Sequence, residues 1–300
     1  MKRKQLYALI LSALLMMTAL LPWSVLADNG DGTGESGESL VTMGADLNDE
    51  QRAKVYADFG IAEGSVPEIK VTNAEERAYL EGLVSEKKIG NVALSCLYIT
   101  LLPEGEGLDI TVKNINYCTE QMYINALQTA GIRDARVIIS APKTVSGTGA
   151  LTGAYKAYET LTGKSLSDLA KSVGAEELVL TGELAEYIGS DEAAAIIREL
   201  KGILDQTQSM TDDEVRTEIR NIAQMYSVSV TDAQVDQVLA LCRKFEGLDT
   251  DELQKQLTTL ATTVQKAAEV KETASKVIGN VKNFFVSVGN FFTKLFGKKN

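Results

Sequence analysis

The sequence predicts an α+β protein: a small mixed β-sheet domain (ββαβ with flanking helices), then an α-helical domain and a C-terminal amphipathic helix. Three observations predict this class. Strand signals end near residue 146, capped helical segments repeat after it, and phenylalanines cluster at the end of the chain. We place the sheet domain at 40–145, the helical domain at 146–270 and the tail at 271–300.

The first 27 residues have the pattern of a secretory signal peptide. A basic start of Lys2, Arg3 and Lys4 precedes an apolar run that ends near Leu21, and a small-residue cleavage site ends at Ala27. The apolar run is short for a membrane span. We therefore expect cleavage near Ala27 and a secreted protein that is extracellular or located at the cell surface.

Residues 28–39 are rich in Gly, Ser and acidic side chains, which predicts a flexible acidic linker. The sheet domain should then begin with two short helices. Asn48 can cap the first, with Gln51 at its third position, and the second spans residues 73–82. We expect both helices to flank the sheet.

Two β-rich runs over residues 91–102 and 108–118 surround a Pro- and Gly-containing turn, and they predict a long β-hairpin. A helix capped by Thr119 and ended by Gly131 comes next, and residues 135–141 form a third strand. The close spacing of strand, helix and strand favours a crossover connection, which gives the ββαβ order.

The helical domain is predicted from capping signals and apolar periodicity. Helices are expected over residues 150–161 and 167–173, followed by a run over 175–205 that is broken near Gly189. Capping boxes then start at Thr211, Thr231 and Asp249. Their spacing of about 20 residues is too irregular for a solenoid, so we expect an α-helical bundle.

Composition excludes several kinds of chemistry. The chain contains no histidine, so Ser-His-Asp triads, Cys-His dyads and His-ligated zinc sites are impossible. No metal-binding or cofactor-binding motif is found, and no catalytic residue can be assigned. Loss of the signal peptide leaves 27 basic against 41 acidic residues, a balance that disfavours binding to nucleic acid.

The chain has an odd number of cysteines, Cys96, Cys118 and Cys242. At least one thiol therefore stays unpaired in an exported chain. In the predicted hairpin, the first two lie about four residues out of register. That offset is roughly 13 Å along a strand, too far for a disulfide. We therefore expect three buried free thiols.

The segment that connects the last predicted strand to the next helix is the best candidate for a small-ligand site. Helix N-terminal N–H groups favour anions, hydroxyl groups can bind, and glycines allow close backbone approach. The candidate residues are Ser146, Gly147, Thr148, Gly149 and Thr152. A plain interdomain turn, in which Ser or Thr only caps the helix, is the simpler interpretation.

The C-terminal tail contains five of the seven phenylalanines. On a helix they share one face with Val and Leu while lysines face away, which is typical of a helix in a membrane interface. The candidate surface residues are Phe284, Phe285, Phe291, Phe292, Phe296, Lys282 and Lys294. Residues 271–300 have six lysines and one glutamate, so docking on the acidic body of the same chain is the alternative.

Several segments between Leu40 and Ile203 match one family in combination. Examples are LNDEQ at 47–51, VTNAEE at 71–76 and TGEL at 181–184; the others are 41–44, 114–116, 123–127, 141–142, 145–148, 150–153, 156–159 and 177–178. The chain thus resembles the YpuA-like secreted Firmicute proteins, the family catalogued as domain of unknown function 1002. The resemblance implies export and the α+β plus helical layout, and it brings no catalytic residue.

The sequence predicts a secreted, non-enzymatic binding or scaffolding protein of the envelope of a Gram-positive bacterium. Its expected partner is an anionic membrane surface or another envelope component. One alternative is a hydrolase of envelope polymers that uses an Asp/Glu pair in a groove between the domains. Another is a small-anion sensor at the turn over residues 146–149.

Overall fold

The computed structural model describes residues 36–255 and residue 257, which belong to one compact unit of the chain. The predicted signal peptide, most of the predicted linker and the Phe-rich tail lie outside the described residues. The described part contains one five-stranded mixed sheet with helices packed on both faces. The predicted α+β class is confirmed.

The sheet combines parallel and antiparallel pairs. Its strands are β1 (Ser39–Gly44), β2 (Glu68–Val71), β3 (Cys96–Leu101), β4 (Leu108–Val112) and β5 (Ala135–Ser140). They lie in the order β2-β1-β3-β5-β4. The outer pairs, β1 with β2 and β4 with β5, are parallel, whereas β3 is antiparallel to both β1 and β5. Strands β1 and β2 were not predicted from the sequence.

The predicted hairpin between β3 and β4 is wrong, because β5 lies between these two strands. β5 is the more apolar partner, with four of its six residues buried, whereas β4 alternates buried and exposed residues as an edge strand does. The connecting loop spans the start of β5 instead of forming a tight turn. Its Gly105 and Gly107 N–H groups donate to Asp134 Oδ1 at 3.0 and 2.7 Å.

Ten helices follow or separate the strands in the described residues. They are α1 (Asp49–Phe59), α2 (Asn73–Leu80), α3 (Glu86–Ile89), α4 (Glu120–Thr129), α5 (Ala150–Thr162), α6 (Asp168–Ile188), α7 (Ser190–Lys201), α8 (Leu204–Thr207), α9 (Asp212–Met225) and α10 (Asp232–Phe245). Residues 250–255 are helical as well. The chain therefore changes from mixed α and β to purely helical after β5, as predicted.

Helix starts agree with the predicted caps. Asn48, Thr211 and Thr231 each form a capping box with the residue three positions on, and Thr119 caps α4 through the Met122 N–H. One predicted break is absent, because α6 continues through Gly174. A Cβ at Gly174 would lie 2.7 Å from Ala126 O, so the glycine lets α6 approach α4 closely.

Apolar side chains form separate cores on the two faces of the sheet. Leu97 and Ile99 of β3 face α4 and α5, whereas Cys96 of the same strand faces α1, as the two-residue period of a strand requires. A further core lies among α6 to α10. Helix α6 contributes Leu178 to the sheet core and Leu184 to the helical core, so it connects the two.

The three cysteines are free and buried, as expected. The geometric reason given for Cys96 and Cys118 is nevertheless wrong, since it assumed the hairpin. Burial is the main influence on each thiol and raises the pKa of Cys96, Cys118 and Cys242 to about 12. The thiolate, which is the reactive form, is therefore strongly disfavoured at neutral pH.

Candidate functional site

The predicted ligand-binding turn lies between β5 and α5, and its polar groups bind other parts of the chain. Ser146 Oγ donates to Lys88 O at 3.0 Å and lies 3.3 Å from the Thr148 hydroxyl. Tyr123 OH donates to Gly147 O at 2.6 Å. Gly147 has φ of 90°, and a Cβ there would lie 2.4 Å from the tyrosine oxygen, so the glycine is required by internal packing.

Two N–H groups at the start of α5 are bound by carbonyl groups of the preceding turn. The Ala150 N–H donates to Gly147 O at 2.9 Å, and the Leu151 N–H donates to Thr148 O at 3.4 Å. No side chain caps this helix. Thr152 is buried and its hydroxyl oxygen has no hydrogen-bond partner among the described residues. The turn thus brings together the residues predicted for it, but most of their polar groups are used internally.

A carboxyl group of the chain occupies the space at the start of α5. Glu76 of α2 is 3 % exposed, and a Cβ at Gly149 would lie 2.2 Å from its Oε1. Burial is the largest influence on this carboxyl and raises its pKa to about 7; Asp46 and Glu75 act in the same direction, against a hydrogen bond from Asn73. A small anion could bind at the start of α5 only if it displaced the carboxyl of Glu76. The small-anion sensor therefore stays a prediction that requires this displacement.

Three carboxylates are deeply buried in the part of the chain that the structure describes: Glu76, Glu177 and Glu199. Glu177 forms an ion pair with Lys201 at 2.8 Å. Glu199 accepts a hydrogen bond from Tyr226 OH at 2.7 Å, and burial raises its pKa to about 7. Each of the three is held by a different neighbour, so they give no support to a hydrolase with two facing carboxylates.

A cavity of about 70 Å³ lies beside the loop between β3 and β4. Small-molecule sites typically have volumes of about 300 Å³ or more. Within it, Asp134 is bound by two backbone N–H groups, and Glu252 pairs with Arg133 at 3.0 Å. Its lining residues are Glu104, Gly105, Gly107, Leu108, Gln128, Arg133, Asp134, Glu252 and Lys255.

The second predicted surface, formed by Phe284, Phe285, Phe291, Phe292, Phe296, Lys282 and Lys294, lies outside the described residues. Within residues 36–255, no helix is long and apolar enough to cross a membrane. No cluster of three or more metal-ligating side chains is found in the same part of the chain.

Comparison with known proteins identifies the family. A model described as "Protein of unknown function (DUF1002)" matches residues 43–283. The chain belongs to the DUF1002 family. It is 35% identical over 268 residues to the "Uncharacterized protein YpuA" of Bacillus subtilis (strain 168), which covers 87% of this chain and 90% of that protein. No solved structure matches this DUF1002 chain.

Sequence reasoning missed Glu76 as part of the candidate site. It lies in the VTNAEE segment at 71–76, in the first turn of α2. Nothing local distinguishes Glu76 from Glu75, which is half-buried and bound to Lys156 at 2.6 Å. Its burial follows from the packing of α2 against α5, which no spacing rule predicts.

Proposed function

We propose that this DUF1002 protein is an exported, cell-envelope-associated protein that binds without catalysis, and that residues 271–300 contact an anionic membrane surface. Phenylalanines and lysines are segregated on opposite faces of the predicted tail helix. Such a helix gains affinity from buried apolar area and from attraction to anionic lipids. The segregation is the observation that carries the proposal.

Export is proposed from the start of the chain. Three basic residues, an apolar run and a small-residue site precede the acidic linker, and this order is typical of a cleaved signal peptide. The absence of histidine removes the commonest acid-base and metal chemistry, and the buried carboxylates described above are bound to other groups. A binding or scaffolding role accounts for both features.

The well-exposed apolar side chains of the folded body are few, which supports a membrane contact for the tail. The large apolar side chains that are well exposed in the described part are Val92, Leu169, Tyr187 and Met225. Leu169 and Tyr187 lie near opposite ends of α6, about 27 Å apart at the rise of a helix. Leu169 and Tyr187 are therefore too far apart to belong to one small apolar patch, whereas a bilayer interface can take up all five phenylalanines.

Co-sedimentation with lipid vesicles tests the proposal. The mature protein, with and without residues 271–300, is mixed with phosphatidylglycerol or phosphatidylcholine vesicles at low and moderate salt. We expect binding that requires the tail, prefers the anionic lipid and weakens with salt, because attraction to lysines near the surface is screened. Absence of vesicle binding by the complete mature chain would contradict the proposal.

Point variants separate the apolar face from the charge. Phe291→Ser with Phe292→Ser leaves every lysine in place and should abolish most vesicle binding. Asn290→Ser with Thr293→Ser changes the predicted polar face and should leave binding unchanged. Equal loss in both variants would mean that the segment does not bind as an amphipathic helix.

A further inference from the structure

Three exposed lysines converge where the parallel strands β4 and β5 end. Lys54 of α1 donates to Pro142 O at 2.6 Å, and Lys143 is the next residue along the chain. Lys113 directly follows β4, and its ammonium group donates to the backbone carbonyl of Asp58. Residues from three separate parts of the sequence therefore form one basic surface, which we call the lysine surface.

The backbone beneath the lysine surface is held in place by side-chain hydrogen bonds. Asp58 Oδ2 accepts from Ser140 Oγ at 2.6 Å and from Asn114 Nδ2 at 3.3 Å. The Asn114 amide also donates to Ala141 O at 2.8 Å, and Asn114 adopts φ of 58°, a left-handed conformation. These contacts fix α1, the end of β4 and the end of β5 relative to one another, so Lys54, Lys113 and Lys143 belong to the same end of the sheet.

Among the described residues, the carboxylates of the acidic body form no ion pair with the lysine surface. Lys54, Lys113 and Lys143 form no ion pair within residues 36–255, whereas Lys88 and Lys156 each bind a carboxylate within 3 Å. Asp58, one helical turn after Lys54, offsets part of the charge. Unneutralised lysines held close together repel one another, and an anion that binds them would relieve this repulsion.

Phosphate groups fit the chemistry of the lysine surface. Lysine binds phosphate as a compact charge with three hydrogen-bond donors. An ammonium group that donates one hydrogen bond to a backbone carbonyl keeps two N–H groups for a ligand. Three charges spread over the ends of two strands suit several phosphates in a row better than one small anion. The exposed apolar side chains of the described residues belong to other segments, so this surface lacks the groups that insert into a bilayer.

We propose that Lys54, Lys113 and Lys143 form a binding surface for a soluble polymer of phosphate groups. The lysine surface is distinct from the predicted ligand turn, because its contacts involve α1 and the segments after β4 and β5 and not the first turn of α5. It is also independent of the tail, so it does not rest on the proposed membrane contact.

Titration calorimetry with inorganic polyphosphate tests this surface in the complete mature protein. The variant Lys54→Gln/Lys143→Gln should bind about tenfold more weakly and with a smaller salt dependence, because fewer counterions are released. The matched control is Lys70→Gln/Lys87→Gln, which removes the same charge from exposed lysines elsewhere and should change the affinity less than twofold. No binding by the unmodified protein, or equal losses in variant and control, would overturn the proposal.

A charge-reversal variant shows whether a loss of polyphosphate binding is caused by misfolding. Lys143 makes no hydrogen bond or ion pair in the described structure, so Lys143→Glu should leave the unfolding midpoint unchanged while it weakens polyphosphate binding more than Lys87→Glu does. Binding to phosphatidylglycerol vesicles distinguishes a soluble phosphate polymer from lipid headgroups as the ligand of the lysine surface. If the lysine-surface variants lose vesicle binding as fully as the tail variants do, the surface serves a bilayer and the proposal is wrong.

Discussion

The Nζ atom of Lys201 lies 2.8 Å from Glu177 Oε1, and neither side chain is exposed to solvent. The same ammonium group donates to Asn125 O at 2.9 Å and to Thr129 Oγ1 at 3.2 Å, and Thr129 donates to the other Glu177 oxygen at 2.5 Å. Burial lowers the pKa of Lys201, against the influence of Glu177. This buried network joins α4, α6 and α7, and so links the helix layer of the sheet to the helical core.

Removing one partner of this pair should be far more harmful than removing both. Lys201→Met leaves a buried carboxylate without its cation and should lower the free energy of unfolding by about 3 to 5 kcal/mol. Glu177→Leu/Lys201→Met removes both charges and should cost much less. Urea unfolding followed by circular dichroism measures both. A double variant that is as unstable as the single one would show that packing, and not the charge, dominates at this junction.

The contact between Glu76 and Gly149 makes a second prediction. Gly149→Ala places a methyl group where the carboxyl of Glu76 lies, and it should lower the free energy of unfolding by about 1 to 3 kcal/mol. In a Glu76→Ala background the same substitution should cost less than about 1 kcal/mol, because the clash is gone. Thermal unfolding of the four proteins measures this coupling, and additive effects would exclude the contact.

Stability should fall as pH rises because two buried carboxyls hold protons tightly in the folded state. Burial raises the pKa of Glu76 and Glu199 from 4.5 to about 7. The folded pKa exceeds the unfolded value, so their contribution is complete below the unfolded pKa and is lost as pH rises through about 7. A shift of this size corresponds to about 3 kcal/mol per group.

Substitution by glutamine isolates this pH effect. Glu199→Gln keeps an oxygen for the hydroxyl of Tyr226 but cannot ionise, so its stability relative to the unmodified protein should rise between about pH 5 and about pH 8. Chemical unfolding at several pH values measures the difference. A stability difference that stays constant across that range would show that Glu199 titrates normally.

The thiols should be unreactive in the folded protein. Cys96, Cys118 and Cys242 are buried, and burial raises the pKa of each to about 12. We expect negligible reaction with Ellman's reagent under native conditions and reaction of all three thiols in urea, without prior reduction. Rapid labelling of one thiol in the folded state would place that cysteine at the surface.

Local signals in the sequence predicted the local structure well. Asn48, Thr211 and Thr231 cap helices as expected, because a capping box depends on residues three positions apart. Gly189 ends α6 with φ of 99°. The order of strand, helix and strand from β4 to β5 was also predicted, because each of the three elements has a local signal. The crossover that this order favours is the connection that the parallel pair of β4 and β5 requires.

Pairings between distant residues were not predicted. The hairpin failed because β3 and β4 each had a better partner in β5, and adjacency in sequence gives no information on that choice. The contacts of Glu76 with Gly149, of Glu177 with Lys201 and of Lys54 with Pro142 each join different elements. Their partners lie too far along the chain for any periodicity to connect them, so only the folded structure brings them together.

One measurement tests the membrane contact most directly. The only tryptophan is Trp23, which lies in the predicted signal peptide, so Phe291→Trp places a single indole on the predicted apolar face of the tail once the signal peptide is absent. We expect a blue shift in emission with phosphatidylglycerol vesicles and quenching by brominated lipid, with little change for the matched Asn290→Trp variant. An emission spectrum of Phe291→Trp that neither anionic vesicles nor brominated lipid alters would contradict it.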